Sequence, residues 1–209
     1  MITVKNMPVS EKLDHVLENS DLYEAFLPEF LARHVDDQAM IELRKRWNEG
    51  VRPVLPGTPV EDQYELAYAN WIWKAQTNIN YIREKLGEEG LCLFEEAEVQ
   101  ALKRLNNSPA LWMLALVRLI SRAAAFKMTA ENLAYQLQWL TPLNVVELSD
   151  EKFIAQITRC KILGYPGCED VCQIGCQKTY PHWLREQFKV DISFKRMDHS
   201  CTCLVTPLN

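Results

Sequence analysis

The chain has 209 residues, 48% of them hydrophobic and 24% charged, with 7 glycines and 10 prolines, a composition that excludes disordered and fibrous classes. Its 23 Lys plus Arg against 28 Asp plus Glu leave a formal charge of −5, which argues against a nucleic-acid or anionic-membrane surface, since counterion release needs clustered basic residues. A chain of this length buries roughly 70% of its unfolded surface without covalent staples, so its seven cysteines ask for a chemical explanation.

Met1 to Ser10 lacks the positive flank and apolar run of a signal peptide, which predicts a cytoplasmic protein. From about Ser10 to Leu140 the spacing is helical. Leu13, Val16 and Leu17 follow Ser10; Leu22, Phe26 and Phe30 follow Ser20 and Asp21; Asp36 and Asp37 open Met40 to Trp47, which Gly50 closes. The three prolines and one glycine of VRPVLPGTP (Val51 to Pro59) predict a loop. Tyr64, Ala67, Tyr68, Trp71, Ile72, Ala75, Ile79, Ile82 and Leu86 then trace one apolar stripe up to Gly87. Leu91 to Leu105 and Pro109 to Phe126 read as two further helices, and Thr129 as the cap of a last one reaching Leu140. Arg118 and Arg122 interrupt PALWMLALVRLISRAAAF, so that segment is expected to be a central buried helix and not a membrane span.

After Pro142 the pattern changes. Val145 to Leu148 and Phe153 to Cys160 read as strands, Cys168 to Lys189 as a helix with a break at Pro181, and Asp191 to Arg196 with Cys201 to Thr206 as a hairpin. The expected class is α+β: a helical region over 1–142, then a ββαββ module over 143–209 packed with it as one unit.

The cysteines concentrate in that module. On a helix, Cys168, Cys172 and Cys176 lie four apart and share a stripe; on a strand, Cys201 and Cys203 share a face. If helix and sheet pack together, these thiols meet and form a candidate site for Zn(II) or an iron–sulfur cluster, with His199 or Cys160 as extra ligands. C-x₃-C-x₃-C is neither a zinc knuckle nor a ferredoxin run, and two other readings stand beside the metal: buried structural thiols, and a redox or catalytic thiol. Cys168, next to Gly167 at an expected helix start, is the candidate nucleophile, and His182 the candidate general base. Cys92, in the apolar run LCLF, reads as core. Arg118 and Arg122, one turn apart, form a candidate carboxylate anchor. Asn70, Gln76, Thr77, Asn78 and Asn80 among Trp71, Trp73 and Tyr81 could line a partly polar pocket. No P-loop, Rossmann fingerprint, G-x-S-x-G elbow or H-E-x-x-H motif occurs.

Three stretches together form a pattern: Arg159-Cys160 after a strand, CEDVCQIGC from Cys168 to Cys176, and DHSCTCLV from Asp198 to Val205. It resembles the 2-aminothiazoline-4-carboxylate hydrolase-like family of bacterial proteins, and more remotely the ligand-binding vinyl-reductase domain. The resemblance covers about the last 60 residues; Asp198-His199-Ser200 stands where the family usually has glycine-aspartate before the closing cysteine. It implies a hydrolase that opens a small carboxylated ring containing nitrogen and sulfur to a carbamoyl cysteine. The alternative is a non-catalytic metal- or cluster-binding sensor or carrier of a small hydrophobic ligand, and the blandest reading is an interaction protein with core cysteines. The expected partner is a small molecule, not nucleic acid or membrane, and the apolar helices leave room for a homo-oligomer.

Overall fold

Residues 5–106 and 109–208 are described by the structure, a computed structural model. A helical front half leads into a four-stranded antiparallel sheet, so the class is α+β. Helix α1 (Val9–His34) buries Val16, Leu22, Tyr23, Phe26, Leu27, Phe30 and Leu31 against the long helix α3 (Val60–Leu105). The two helices expected at Ser10 and Ser20 are thus one. Asn19 stays inside it by donating Nδ2 to the His15 carbonyl at 2.8 Å. Glu11 near its start and Arg33 and His34 near its end suit the helix dipole. Helix α2 (Ala39–Gly50) follows a turn in which Gln38 N donates to Asp36 Oδ1 at 2.8 Å.

The predicted stripe of α3 is buried from Tyr64 to Ile82 with Leu86 half-buried, but Gly87 kinks the helix instead of ending it. At φ 69° and ψ −162°, Gly87 occupies backbone space that residues with a Cβ seldom enter, and the helix resumes beyond it to Leu105. The next segment departs more sharply from expectation. Helix α4 spans only Pro109–Ile120 and is largely exposed: Trp112, Met113, Leu116, Leu119 and Ile120 all face solvent, the last at 88%. Ser121 adopts extended backbone and caps α5 (Arg122–Gln136), its Oγ accepting from Ala124 N at 3.2 Å. Composition made the segment apolar, but a good capping residue in its middle divides it. Thr129 lies inside α5, donating to the Ala125 carbonyl at 2.9 Å, and is not its cap. No helix among the described residues is long and apolar enough to cross a membrane.

A 3₁₀ turn (Leu137–Trp139) ends the helical half. Strands β1 (Asn144–Leu148), β2 (Phe153–Ile157), β3 (Val190–Met197) and β4 (Ser200–Pro207) then form a sheet in the order β1-β2-β4-β3. Between β2 and β3 the chain forms a short α6 (Glu169–Val171), a π-helical segment (Cys172–Thr179) and α7 (Tyr180–Phe188) without interruption. Pro181 opens α7 in its first turn, where a missing N–H costs little, so the expected break is a join. The hairpin turns at Asp198 (φ 49°), a residue type that tolerates this region, and Met197 pairs with Ser200.

One hydrophobic core runs from α1 and α3 into the inner sheet face, where Phe153, Ala155, Ile157, Cys203 and Val205 are buried. Polar clamps fasten α3 to the end of the helical half and to α6. Tyr64 and Tyr68 donate to the Trp139 and Leu140 carbonyls, both at 2.8 Å, and Arg83 pairs with Asp170 at 2.8 Å.

Candidate thiol site

The sheet register places Ile157, Cys201 and Arg196 in one cross-strand row on β2, β4 and β3. Directly opposed residues share a sheet face, so all three point toward the helix that packs there. That helix contributes Cys172, Cys176 and Gln177 from its π-helical segment, and Cys160 enters from the turn after β2. These side chains line a cavity of about 20 Å³, enough for one water molecule. Four thiols, from Cys160, Cys172, Cys176 and Cys201, therefore face a single small space with Arg196 at its exposed edge. π-Helical hydrogen bonding, i to i+5, is uncommon and recurs at functional sites.

The thiols are not equivalent. Cys172 is held below the ordinary thiol range, first by the neighbouring Cys176 thiol, which supports the thiolate, and further by the positive charge of Arg196 and by Gln177. Cys176, the donor in that pair, is pushed up by Cys172 and by burial. Burial raises Cys160, and burial together with Cys160 and Cys172 lifts Cys201 to about 12. Arg196 makes no ion pair among the described residues; its Nε donates to the Asp198 carbonyl at 3.3 Å. The result is one activated thiol, a thiol that supplies its proton, and a guanidinium facing solvent.

Cys176 borders a second cavity, of about 40 Å³, on the other side of the helix. Glu98, Tyr23, Thr179 and Tyr180 also line it. Thr179 donates to the Glu98 carboxylate at 3.0 Å. Burial nevertheless dominates there and raises the Glu98 carboxyl to about 7, against the hydrogen bonds from Thr179 and Tyr23. Tyr180 is raised by burial and by the proximity of Cys176 and Glu98.

Of the sequence-predicted residues, Cys172, Cys176 and Cys201 come together and Cys168 and Cys203 do not join them around the cavity. Cys168 precedes α6 as its cap residue and sits beside Gln76 Oε1 at 3.8 Å; burial and Glu169 lift it to about 11, opposite to an activated nucleophile. Cys203, fully buried between Ala155 and Phe194 in the sheet, is also raised by burial. The five-cysteine metal centre, for zinc or an iron–sulfur cluster, is not formed: among the described residues no three His, Cys, Asp or Glu side chains converge closely enough to hold an ion. The π-helical winding and the position of Cys168 ahead of the helix explain this, because the i, i+4, i+8 stripe assumed a regular α-helix.

His182 lies away from the thiols, near Glu95 (3.4 Å) and Glu186 (3.5 Å). Arg118 donates Nη2 to the Phe188 carbonyl at 2.6 Å, tying α4 to the end of α7. Arg122 is exposed at the start of α5, so the two arginines stand on different helices and form no common anchor. Cys92 is exposed, not core. Nor do the polar residues of α3 line one pocket. Asn70 exchanges two hydrogen bonds with the Arg52 backbone, Gln76 donates to the Gly167 carbonyl at 2.9 Å, and Asn78 accepts from Trp47 Nε1 at 2.8 Å. The sequence reading missed Arg196 and Glu98. Arg196 had a signal, its place one turn of a hairpin from Cys201; Glu98 had none in its own segment.

No family model, no curated protein and no solved structure matches this chain.

Proposed function

We propose that the protein is a thiol-dependent hydrolase of a small carboxylated ring containing nitrogen and sulfur, of the 2-aminothiazoline-4-carboxylate type. One observation carries this reading: the thiol most disposed to ionise, Cys172, shares its cavity with an arginine that has no carboxylate partner among the described residues. Arg suits bidentate carboxylate binding, and a thiolate suits attack on a ring C=N carbon.

In this scheme the substrate carboxylate docks on the exposed Arg196 at the rim, the one-water cavity widens to admit the ring, and the Cys172 thiolate adds to the ring carbon. The ring C–S bond breaks, and the departing sulfur takes the proton of Cys176. Water then adds to the isothiourea carbon. One of its protons returns to Cys176, the other stays on the substrate nitrogen, and Cys172 leaves as thiolate, releasing a carbamoyl cysteine. Both cysteines end as they began.

Release of the substrate's thiol, followed with a chromogenic disulfide, tests the scheme. Turnover by the native chain, abolished by Cys172→Ser and with KM raised by Arg196→Ala, supports it. Absence of turnover, or turnover that survives Cys172→Ser, removes it.

A further inference from the structure

A larger space is remote in character from the thiol cavity. It is a pocket of about 460 Å³ between α1, the end of α3, α4, α5 and α7. That volume lies within the range of small-molecule sites. Leu102, Leu114, Leu133, Trp139, Trp183 and Phe188 supply apolar wall from five elements. Most polar groups come from two helix faces, with Asn106 at the end of α3 and Tyr180 on α7 beside them. His15 and Asn19 lie one turn apart on α1, and Asn132 and Gln136 lie one turn apart on α5. Helix α4 forms one side, turning Leu111 and Leu114 inward while its outer face stays exposed, and the Arg118 bond to Phe188 fastens it there.

The charge of the lining decides the ligand class. Among the described residues no Lys or Arg lines the pocket, and the one acid there, Glu18, is 58% exposed and 3.6 Å from His15. A carboxylate or phosphate buried there would meet no Lys or Arg, and the one imidazole, His15, already faces Glu18, so burial of the anion costs several kcal/mol. Side-chain amides and an imidazole, in contrast, satisfy a hydroxyl or amide group. We infer that this pocket is a binding site for a neutral, mainly apolar small molecule with one hydroxyl or amide end. Its ligand is therefore chemically distinct from the carboxylated substrate proposed for the thiol site, and the inference does not depend on that proposal. Tyr180, Asn19 and Leu102 line both this pocket and the 40 Å³ cavity next to Cys176, so the two sites share a wall.

The test uses the full chain and the neutral fluorophore N-phenyl-1-naphthylamine, with decanol and decanoate as competitors of equal length and opposite charge character. The expected result is saturable binding of one fluorophore per chain, displaced by decanol at least about tenfold better than by decanoate. Met128→Trp, at a half-exposed position on the pocket wall, fills the space and weakens binding at least about tenfold with an unchanged melting curve. Gln136→Lys places a cation in the pocket and narrows or reverses the preference for decanol. Leu119→Ser, on the outer face of α4, leaves binding as it was. Absence of saturable binding, equal displacement by decanoate, or binding lost in Leu119→Ser while kept in Met128→Trp would each overturn the assignment.

Discussion

Cys176 stands four residues after Cys172 on a π-helical segment and draws its neighbour's thiol below the ordinary range, while its own titration is driven the other way. A pair split in this manner separates a nucleophile from a proton donor, the arrangement that acid–base chemistry at neutral pH requires. Because Cys172 ionises below the ordinary thiol range of about 8.5, its alkylation by iodoacetamide is expected to reach half-maximal rate at a lower pH than for free cysteine. Cys176→Ala removes the supporting donor, and Arg196→Ala the positive charge, so each moves that midpoint upward. The reaction is followed by mass mapping of the modified peptide, since exposed Cys92 also reacts. A Cys172 midpoint at or above that of free cysteine in the native chain would contradict the site geometry.

Glu98 predicts a pH dependence of stability. Its carboxyl titrates near 7 in the folded chain and near 4.5 unfolded, so between those values the folded state binds more protons. Stability from this group is complete below about 4.5 and falls as pH rises through 7, by an amount on the order of 3 kcal/mol. Glu98→Gln keeps the shape and abolishes the titration. Urea unfolding between pH 5 and 8 is expected to show a steeper loss for the native chain than for the variant, and parallel curves would refute the buried carboxyl.

Arg118 and Arg122 separate structure from surface. Arg118→Ala loses the bond to the Phe188 carbonyl and is expected to destabilise by about 1–3 kcal/mol, the range for a hydrogen bond from a charged donor. Arg122→Ala, exposed at a helix start, stays within about 0.5 kcal/mol. Denaturant midpoints at constant slope measure both, and equal effects would show that α4 is not fastened through Arg118.

Gly87→Ala isolates a backbone cost. No atom lies within 4 Å of the position an added Cβ would take, so a clash contributes nothing. The positive φ alone is expected to lower stability by about 1–3 kcal/mol. A thermal melt unchanged or raised by the substitution would mean that the helix passes through residue 87 without its kink.

The legible parts of this chain were those set by neighbours in sequence. The apolar stripe of α3, the loop from Val51 to Pro59, the strands and hairpin after Pro142, and the shared orientation of Cys201 and Cys203 all follow from local periodicity and turn chemistry. Of the five cysteines expected to meet on that basis, only Cys172, Cys176 and Cys201 line the cavity, since the stripe assumed a regular α-helix. What covers a segment was not legible. The segment from Pro109 is apolar enough for a core, yet α4 lies on the surface, because burial depends on which other elements reach it.

The state of each thiol was likewise decided in three dimensions. Cys168 had the local signal of activation and is lifted to about 11 by burial; Cys172 had none and is lowered by Cys176 across one π turn and by Arg196 from a strand 24 residues away. Charge and desolvation act through space, so the sequence marked the cysteine-rich segments, and the tertiary structure decided which of those thiols meet and which are disposed to ionise.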